Sequence, residues 1–174
     1  PKFDLFRRKL ETDFLKEDIN PSGKLVLFSE SVDTLTYLQE RLTQELGRND
    51  VLMVTASNRN RLGQVIKENF DANYPSDGRR YNLIITSDVL AEGVNLHRSN
   101  VIVNYDSPWN ATRLMQRIGR VNRIGSVAPC IYNYMFYPSQ QGDKEIKLYK
   151  NALIKLQGFH SAFGEDAQIY SKEE

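Results

Sequence analysis

Short apolar runs alternate with amphipathic segments along this chain. The apolar runs lack polar alternation, which is typical of strands that are buried on both faces of a sheet. Between them, leucines and other apolar residues repeat at intervals of three and four, the spacing of one face of a helix. This order predicts an α/β fold in which a mainly parallel sheet lies between helices on both faces. The predicted strands are residues 23–29, 51–55, 81–86, 100–106 and 130–137.

The predicted helices fill the intervals between these strands. Ser31 and Gly47 are suitable residues for the start and the end of one helix. A second helix is predicted to start at Ser57 or Asn58 and to carry apolar residues as far as Phe70. Further helices are predicted over residues 2–18 and 112–121, and from beyond Pro138 to about Gly158.

Polar residues cluster where the predicted strands end. Ser29 and Glu30 follow the first strand, Ser87 and Asp88 follow the third, and Asp106 ends the fourth. In parallel sheets, functional groups gather outside the carboxyl ends of the strands. We therefore expect the functional site at this edge.

Composition limits the classes of function. A chain of 174 residues with 40% hydrophobic and 26% charged residues is typical of one soluble globular domain. One cysteine and two distant histidines provide no metal site of ordinary spacing. No apolar run is long enough for a membrane span, and a cytoplasmic location is expected. The start at a proline suggests a segment of a longer chain.

Positive charge is concentrated in one part of the chain. Residues 107–142 contain no Asp or Glu but include Arg113, Arg117, Arg120 and Arg123, although the whole chain carries only +1. On a helix the last three would fan across roughly 120° of one face, because each three-residue step turns the side chain by about −60°. Such segregation suggests an anionic partner. Pairing with acids from elsewhere in the fold is the alternative.

Several nucleotide and catalytic motifs are missing from these residues. There is no G-x-x-x-x-G-K-[ST] phosphate loop, no strand ending in paired acids for magnesium, no G-x-G-x-x-G and no G-x-S-x-G. The chain therefore lacks the groups for chemistry of its own. An arginine presented to a phosphate that another domain holds would fit these absences.

Three segments carry a family resemblance. DSPWNATRLMQRIGRVNRIGS (106–126) resembles motif VI of superfamily 2 helicases and its lead-in, especially in Swi/Snf-type DNA translocases and their bacterial relatives. LIITSDVLAEGVNL (83–96) is similar to motif V, and KLVLFSES (24–31) resembles motif IV. The motifs occur in the family's order, within residues 21–138.

The resemblance implies that residues 21–138 form the second RecA-like domain of such a motor. Residues 1–20 would be a helical lead-in and residues 139–174 a helical extension. ATP with Mg²⁺ would be held mainly by an N-terminal RecA-like domain that these residues do not include, and this chain alone would be inactive. The implied partners are that domain and nucleic acid, with double-stranded DNA favoured and no membrane.

The resemblance also implies roles for individual residues. Arg120 and Arg123 match the motif VI arginines that reach the ATP phosphates, with Gln116 opening the motif. Gly93 and Asn95 match the motif V glycine and the polar residue near the ribose.

Other positions match residues that contact nucleic acid or support the site. Thr86 and Ser87 match backbone-binding hydroxyls, although closing a strand is the alternative for both. Ser29, Arg59 and Arg61 lie where the family contacts nucleic-acid phosphates; for the two arginines, solvent exposure at a helix start is the alternative. The supporting residues are Arg117 and Asp88. Arg117 is expected to support motif V or nucleic acid, with an internal salt bridge as the alternative, and Asp88 is expected to cap a helix or pair with a motif VI arginine.

The sequence departs from both family patterns. Gln116 and Asn122 replace the histidine and glycine of DEAD-box RNA helicases, and Glu92 replaces their motif V arginine. Ser126 replaces the glutamine that usually ends the Swi/Snf motif. The Swi/Snf-like residues around Trp109 and after Arg123 favour DNA. An RNA helicase domain and a non-catalytic binding module remain the alternatives.

Overall fold

A five-stranded parallel sheet forms the centre of the molecule. The computed structural model describes residues 2–107 and 110–136. The strand order is β2-β3-β1-β4-β5, so β1 lies in the middle. Every neighbouring pair is parallel, which confirms the predicted architecture. The strands are β1 (Leu25–Phe28), β2 (Val51–Val54), β3 (Leu83–Thr86), β4 (Val101–Asn104) and β5 (Tyr132–Met135).

Helices cover both faces of the sheet. The predicted N-terminal helix continues through a π-helical turn and ends at Phe14, four residues before its predicted end at residue 18. Within the part of the chain that is described, none of the helices has the length and apolar character to cross a membrane. The helix predicted after Pro138 lies outside the described residues. The helices are α1 (Lys2–Lys9), α2 (Val32–Leu46), α3 (Arg59–Phe70) and α4 (Ala111–Val121), with the π-helical turn at Leu10–Phe14 and a 3₁₀ turn at Asp88–Leu90.

Alternate residues of each strand face opposite helical layers. In β1, Leu25 and Leu27 pack in one cluster, and Val26 and Phe28 pack in the other. All four are fully buried, because side chains of a strand point alternately to both covered faces. This explains the unbroken apolar runs of the sequence. The first cluster includes Phe3, Phe6, Leu35, Leu38 and Leu42 from α1 and α2, and the second includes Ile66, Phe70 and Val121 from α3 and α4.

Caps set the ends of α2 and the start of α4. The Ser31 hydroxyl accepts a hydrogen bond from the Thr34 amide at 3.3 Å, and Gly47 follows α2 with a φ of 60°. Both predicted ends of this helix are confirmed, since a side-chain oxygen satisfies a free amide and glycine adopts the left-handed conformation without strain. At α4, the Asn110 side chain accepts from the Thr112 amide at 2.8 Å.

Two cations, the buried Lys24 and the half-buried Arg98, hold the loop that follows α3. The Lys24 ammonium donates to the carbonyls of Gly78 at 2.5 Å and Tyr81 at 2.6 Å. Burial, together with the nearby charge of Arg98, lowers the pKa of Lys24 to about 8. The Arg98 guanidinium donates to three carbonyls of the same region, those of Glu68, Tyr74 and Ser76. These bonds fix the loop at the amino end of the sheet.

Two glycines with the same backbone conformation test this packing. Gly47 and Gly78 have φ values of +60° and +63°, but an added Cβ meets open space at Gly47 and lies 1.9 Å from Arg98 Nη1 at Gly78. Gly47→Ala should cost about 1–2 kcal/mol of unfolding free energy for the left-handed conformation alone. Gly78→Ala should cost at least about 1 kcal/mol more, because Arg98 must also move. Urea denaturation measures both, and equal losses would contradict this packing.

Candidate functional site

Arg117 lies at the centre of the motif VI helix and is fully buried. Its Nε donates to Asp88 Oδ1 at 2.6 Å, and its Nη1 donates to Asn104 Oδ1 at 2.9 Å. The guanidinium carbon is 4.9 Å from the centre of the Phe28 ring, in cation–π contact. Arg117 therefore joins α4 to the sheet and to motif V, which matches its predicted supporting role.

Asp88 binds two arginines of α4. It lies in the 3₁₀ turn after β3, and besides Arg117 it receives Arg113 Nη1 at 3.2 Å. Arg113 Nη1 also lies 3.4 Å from Glu30. The predicted pairing of Asp88 with a motif VI arginine is thus observed. Acids from other segments compensate Arg113 and Arg117, as the alternative interpretation of the charge segregation proposed.

Arg120 is electrostatically different from these paired arginines. Its half-buried side chain makes no ion pair with any described residue, and its buried Nε has no hydrogen-bond partner among them. Burial and the adjacent charge of Arg123 lower the pKa of Arg120, and Glu92 opposes this effect. A partly dehydrated guanidinium without a bound acid is suited to an anion from outside the domain.

Arg123 lies beyond the end of α4. The helix ends at Val121, and Asn122 has extended dihedral angles (φ −80°, ψ 90°). The expected fan of three arginines along one helix is therefore wrong for Arg123, because the chain leaves the helix before it. The Arg123 side chain turns back, and its Nε donates to the Gly119 carbonyl at 3.1 Å.

Gly125 makes the turn after Arg123 possible. Its φ is 91°, and an added Cβ would lie 3.2 Å from Asn73 Oδ1 and 3.7 Å from His97 Nε2. Both the conformation and the neighbours favour glycine here. Gly119 has open space around an added Cβ, so no close approach among the described residues requires glycine at that position.

The motif V loop lies against Arg120 and Arg123. Gln116 Nε2 is 3.4 Å from the Glu92 carboxylate, and Arg59 Nη2 donates to the Glu92 carbonyl at 2.9 Å. Gly93 has a φ of 76°, and an added Cβ would lie 2.8 Å from Arg59 Nη2. The structure thus brings the predicted Gln116, Gly93 and Arg59 to one place. Arg59 contacts the loop, a role that no signal in the sequence indicates.

Asn95 connects this loop to Arg123. Its Oδ1 accepts from Arg123 Nη1 at 2.5 Å, and its Nδ2 donates to Asp71 Oδ2 at 3.1 Å. Asp71 follows α3 directly and is not a candidate from the sequence, since a single acid after a helix carries no motif. Among the described residues, no group of three or more His, Cys, Asp or Glu side chains could hold a metal ion.

The residues predicted to contact nucleic acid separate into buried and accessible ones. Ser29 and Thr86 are fully buried. The Ser29 hydroxyl donates to the Asp106 carboxylate, and Thr86 Oγ1 donates to the Val54 carbonyl at 2.9 Å. Both hydroxyls point into the domain and not toward a phosphate outside it. For Thr86, the structure therefore agrees with the alternative that this residue closes a strand. Ser87 is half-buried, and Arg61 is exposed with no partner among the described residues.

The motifs and the fold agree with a known family. The sequence profile of the helicase conserved C-terminal domain matches residues 4–125. The chain belongs to this family. The resemblance inferred from motifs IV, V and VI is thereby confirmed, and Arg120 and Arg123 lie on a helicase C-terminal domain.

Relatives of this helicase C-terminal domain include proteins of both branches considered above. The uncharacterized ATP-dependent helicase YqhH of Bacillus subtilis is 34% identical over 94 residues, 53% of this chain and 16% of that protein. SNF2 domain-containing protein CLASSY 4 of Arabidopsis thaliana is 27% identical over 172 residues, 94% of this chain and 15% of that protein. ATP-dependent RNA helicase DHH1 of Coccidioides immitis is 30% identical over 125 residues, 70% of this chain and 22% of that protein. The chain thus spans less than a quarter of each relative's length.

Solved structures confirm the RecA-like fold. The C-terminal part of the Fun30 ATPase domain matches with a TM-score of 0.66 and 20% identity, over 87% of this chain and 45% of that chain. Dbp5 of S. cerevisiae bound to RNA and ADP BeF3 matches with a TM-score of 0.58 and 21% identity, over 95% of this chain and 37% of that chain.

Arg113 and Arg117 provide a matched test of the internal brace, because both contact Asp88. Arg117→Ala should lower the unfolding free energy by roughly 3–5 kcal/mol, since it leaves Asp88 and Asn104 without a buried partner. Arg113→Ala should cost less than about 1 kcal/mol, because that side chain is 52% exposed. Urea denaturation of both variants measures the difference, and a small loss for Arg117→Ala would contradict the bracing role.

Proposed function

We propose that this helicase C-terminal domain is the second motor domain of an ATP-dependent DNA helicase or translocase. In this proposal, Arg120 and Arg123 act on ATP that is bound to an N-terminal RecA-like domain. The proposal rests on one observation, that the four arginines between residues 107 and 142 differ in their ion pairing. Acids of the domain bind Arg113 and Arg117, whereas no described acid forms an ion pair with Arg120 or Arg123.

Phosphoryl transfer needs positive charge at this kind of position. Negative charge is spread over the oxygens of the transferred group, and an arginine supplied by a neighbouring domain stabilises it. The Arg120 guanidinium donates no hydrogen bond to any described residue, and its Nε is buried. Arg123 is exposed, and its Nη2 makes no hydrogen bond with any described residue. Both guanidiniums therefore keep donors free for phosphate oxygens.

The residues around the arginines fit the phosphates better than the metal. Free guanidinium donors match phosphate oxygens, and among the described residues there is no group of three or more His, Cys, Asp or Glu side chains that could hold a metal ion. We propose that Mg²⁺ binds to the other domain, where it would neutralise charge on the phosphates. Gln116 and Gly93 would line the nucleotide side of this domain. The amide of Asn95 already binds Arg123 and Asp71, so its proposed contact with the ribose would have to be additional.

Double-stranded DNA is the proposed nucleic-acid partner. Support comes from the Swi/Snf-like residues on both sides of motif VI and from the similarity to CLASSY 4, which is named an SNF2 domain-containing protein. Ser87, Arg59 and Arg61 are the proposed backbone contacts that are not fully buried. The similarity to the RNA helicase DHH1 makes RNA the competing partner.

Alanine substitutions test the arginine-finger role in the protein that carries both RecA-like domains. Arg120→Ala and Arg123→Ala should each lower kcat for ATP hydrolysis by roughly 10³-fold, the scale of an arginine finger, and should affect ATP binding less. Arg7→Ala is the control, because Arg7 is an exposed arginine of α1 that belongs neither to motif VI nor to the proposed nucleic-acid contacts. Wild-type turnover in both motif VI variants, or no hydrolysis by the wild-type protein, would overturn the proposal.

Stimulation of hydrolysis tests the nature of the nucleic acid. In the same two-domain protein, double-stranded DNA should increase ATP turnover more than single-stranded RNA does. Arg61→Ala should weaken the apparent affinity for DNA and reduce its salt dependence, because one phosphate contact is lost. Stimulation by RNA alone would assign the domain to an RNA helicase.

A further inference from the structure

We infer that Asp71 and Asn95 are positioning residues that hold Arg123 in place for phosphoryl transfer. This inference rests on the proposed function of Arg123. It adds Asp71, which belongs to none of the three helicase motifs and lies at the end of α3. The basis is a continuous series of hydrogen bonds from Asp71 through Asn95 to the Arg123 guanidinium.

The chemistry of the three groups allows one arrangement only. A carboxylate can only accept hydrogen bonds and a guanidinium can only donate them. The Asn95 amide between them must therefore point Nδ2 at Asp71 and Oδ1 at Arg123, as observed. Asp71 thus determines the orientation of the amide, and the amide determines where Nη1 of Arg123 is held.

The remaining contacts of Arg123 agree with positioning. Its Nε is held by the Gly119 carbonyl, so two nitrogens of the guanidinium are bound inside the domain. Nη2 makes no hydrogen bond with any described residue. An exposed arginine otherwise populates many rotamers, and fixing them beforehand removes an entropic cost from the reaction.

The other contacts of Asp71 involve Oδ1, so that Oδ2 is left for Asn95. Its other oxygen, Oδ1, accepts from the Asn73 amide at 2.9 Å. The nearest cationic candidate among the described residues is His97, whose Nδ1 is 3.8 Å from Oδ1. Burial lowers the pKa of His97, and Arg123 and Arg98 add to this effect while Asp71 opposes it. No described ion pair competes with Asn95 for Oδ2.

Asp71→Asn tests this series of bonds with almost no change in shape. If the introduced amide keeps its oxygen on the Asn73 backbone amide, its NH₂ group faces Nδ2 of Asn95, which places two donors together. Turning the Asn95 amide would only move this mismatch to Arg123. We expect kcat for ATP hydrolysis in the two-domain protein to fall about tenfold, with KM for ATP nearly unchanged.

The exchanged pair distinguishes positioning from a general structural role. Asn95→Asp alone places two carboxylates together and should also lower kcat. In Asp71→Asn combined with Asn95→Asp, the new asparagine donates to the new aspartate, which accepts from Arg123. Each donor again meets an acceptor, so kcat should rise above that of either single variant, although the ion pair now formed with Arg123 keeps it below wild type. Thermal unfolding of all variants verifies that each is folded.

Three outcomes distinguish a failure of the proposed function from a failure of the positioning inference. Arg123→Ala with wild-type turnover would refute the proposed function itself. A large loss in Arg123→Ala together with wild-type kcat in Asp71→Asn would refute the inference alone. The inference would also be refuted if the losses in kcat of Asp71→Asn and Asn95→Asp add in the double variant, because the two side chains would then act independently.

Discussion

The buried ion pair between Arg117 and Asp88 determines where both motifs of the site lie. Arg117 extends from the middle of α4 and Asp88 opens the turn after β3, so one pair of hydrogen-bonded side chains fixes the helix against the sheet. Arg120 follows one turn later on the same helix, and the loop from Glu92 to Asn95 follows Asp88 along the chain. The fixed pair therefore sets the distance between the arginines and the motif V loop that contacts them.

The same interaction separates the arginines of one segment into two groups with different surroundings. A guanidinium that is fully buried needs an acid and a carbonyl-type acceptor, and Arg117 has both in Asp88 and Asn104. Arg120 and Arg123 have no such acid among the described residues and keep nitrogens without a hydrogen bond there, as their proposed contact with an external phosphate requires. The arginines that the sequence concentrates in one segment thus differ in how deeply they are buried. The deep arginine stabilises the domain, and those nearer the surface keep their capacity to bind anions.

The elements of the fold are easier to predict from the sequence than the contacts between them. The strands follow from unbroken apolar runs and α4 from its periodicity, because both signals are local. The burial of Ser29 and Thr86 could not be predicted, since their hydrogen-bond partners, Asp106 after β4 and Val54 in β2, are distant in the sequence. The expected fan of three arginines along one helix fails at Arg123, because their three-residue spacing continues past Val121, where both the predicted and the observed helix end. Asp71 carries no motif, and only the fold brings it to Asn95.

The two cations at the amino end of the sheet have a consequence for the site. Arg98 is tied to the loop after α3 by its guanidinium, and its amide donates to the Phe70 carbonyl at 3.0 Å. Phe70 directly precedes Asp71, so the clamp formed by Lys24 and Arg98 also locates the first residue of that loop. Insertions or deletions between Tyr74 and Arg80 would then shift Asp71 and, through Asn95, Arg123. Under the proposed function, a change in the length of this loop would alter turnover while all three motifs stay unchanged.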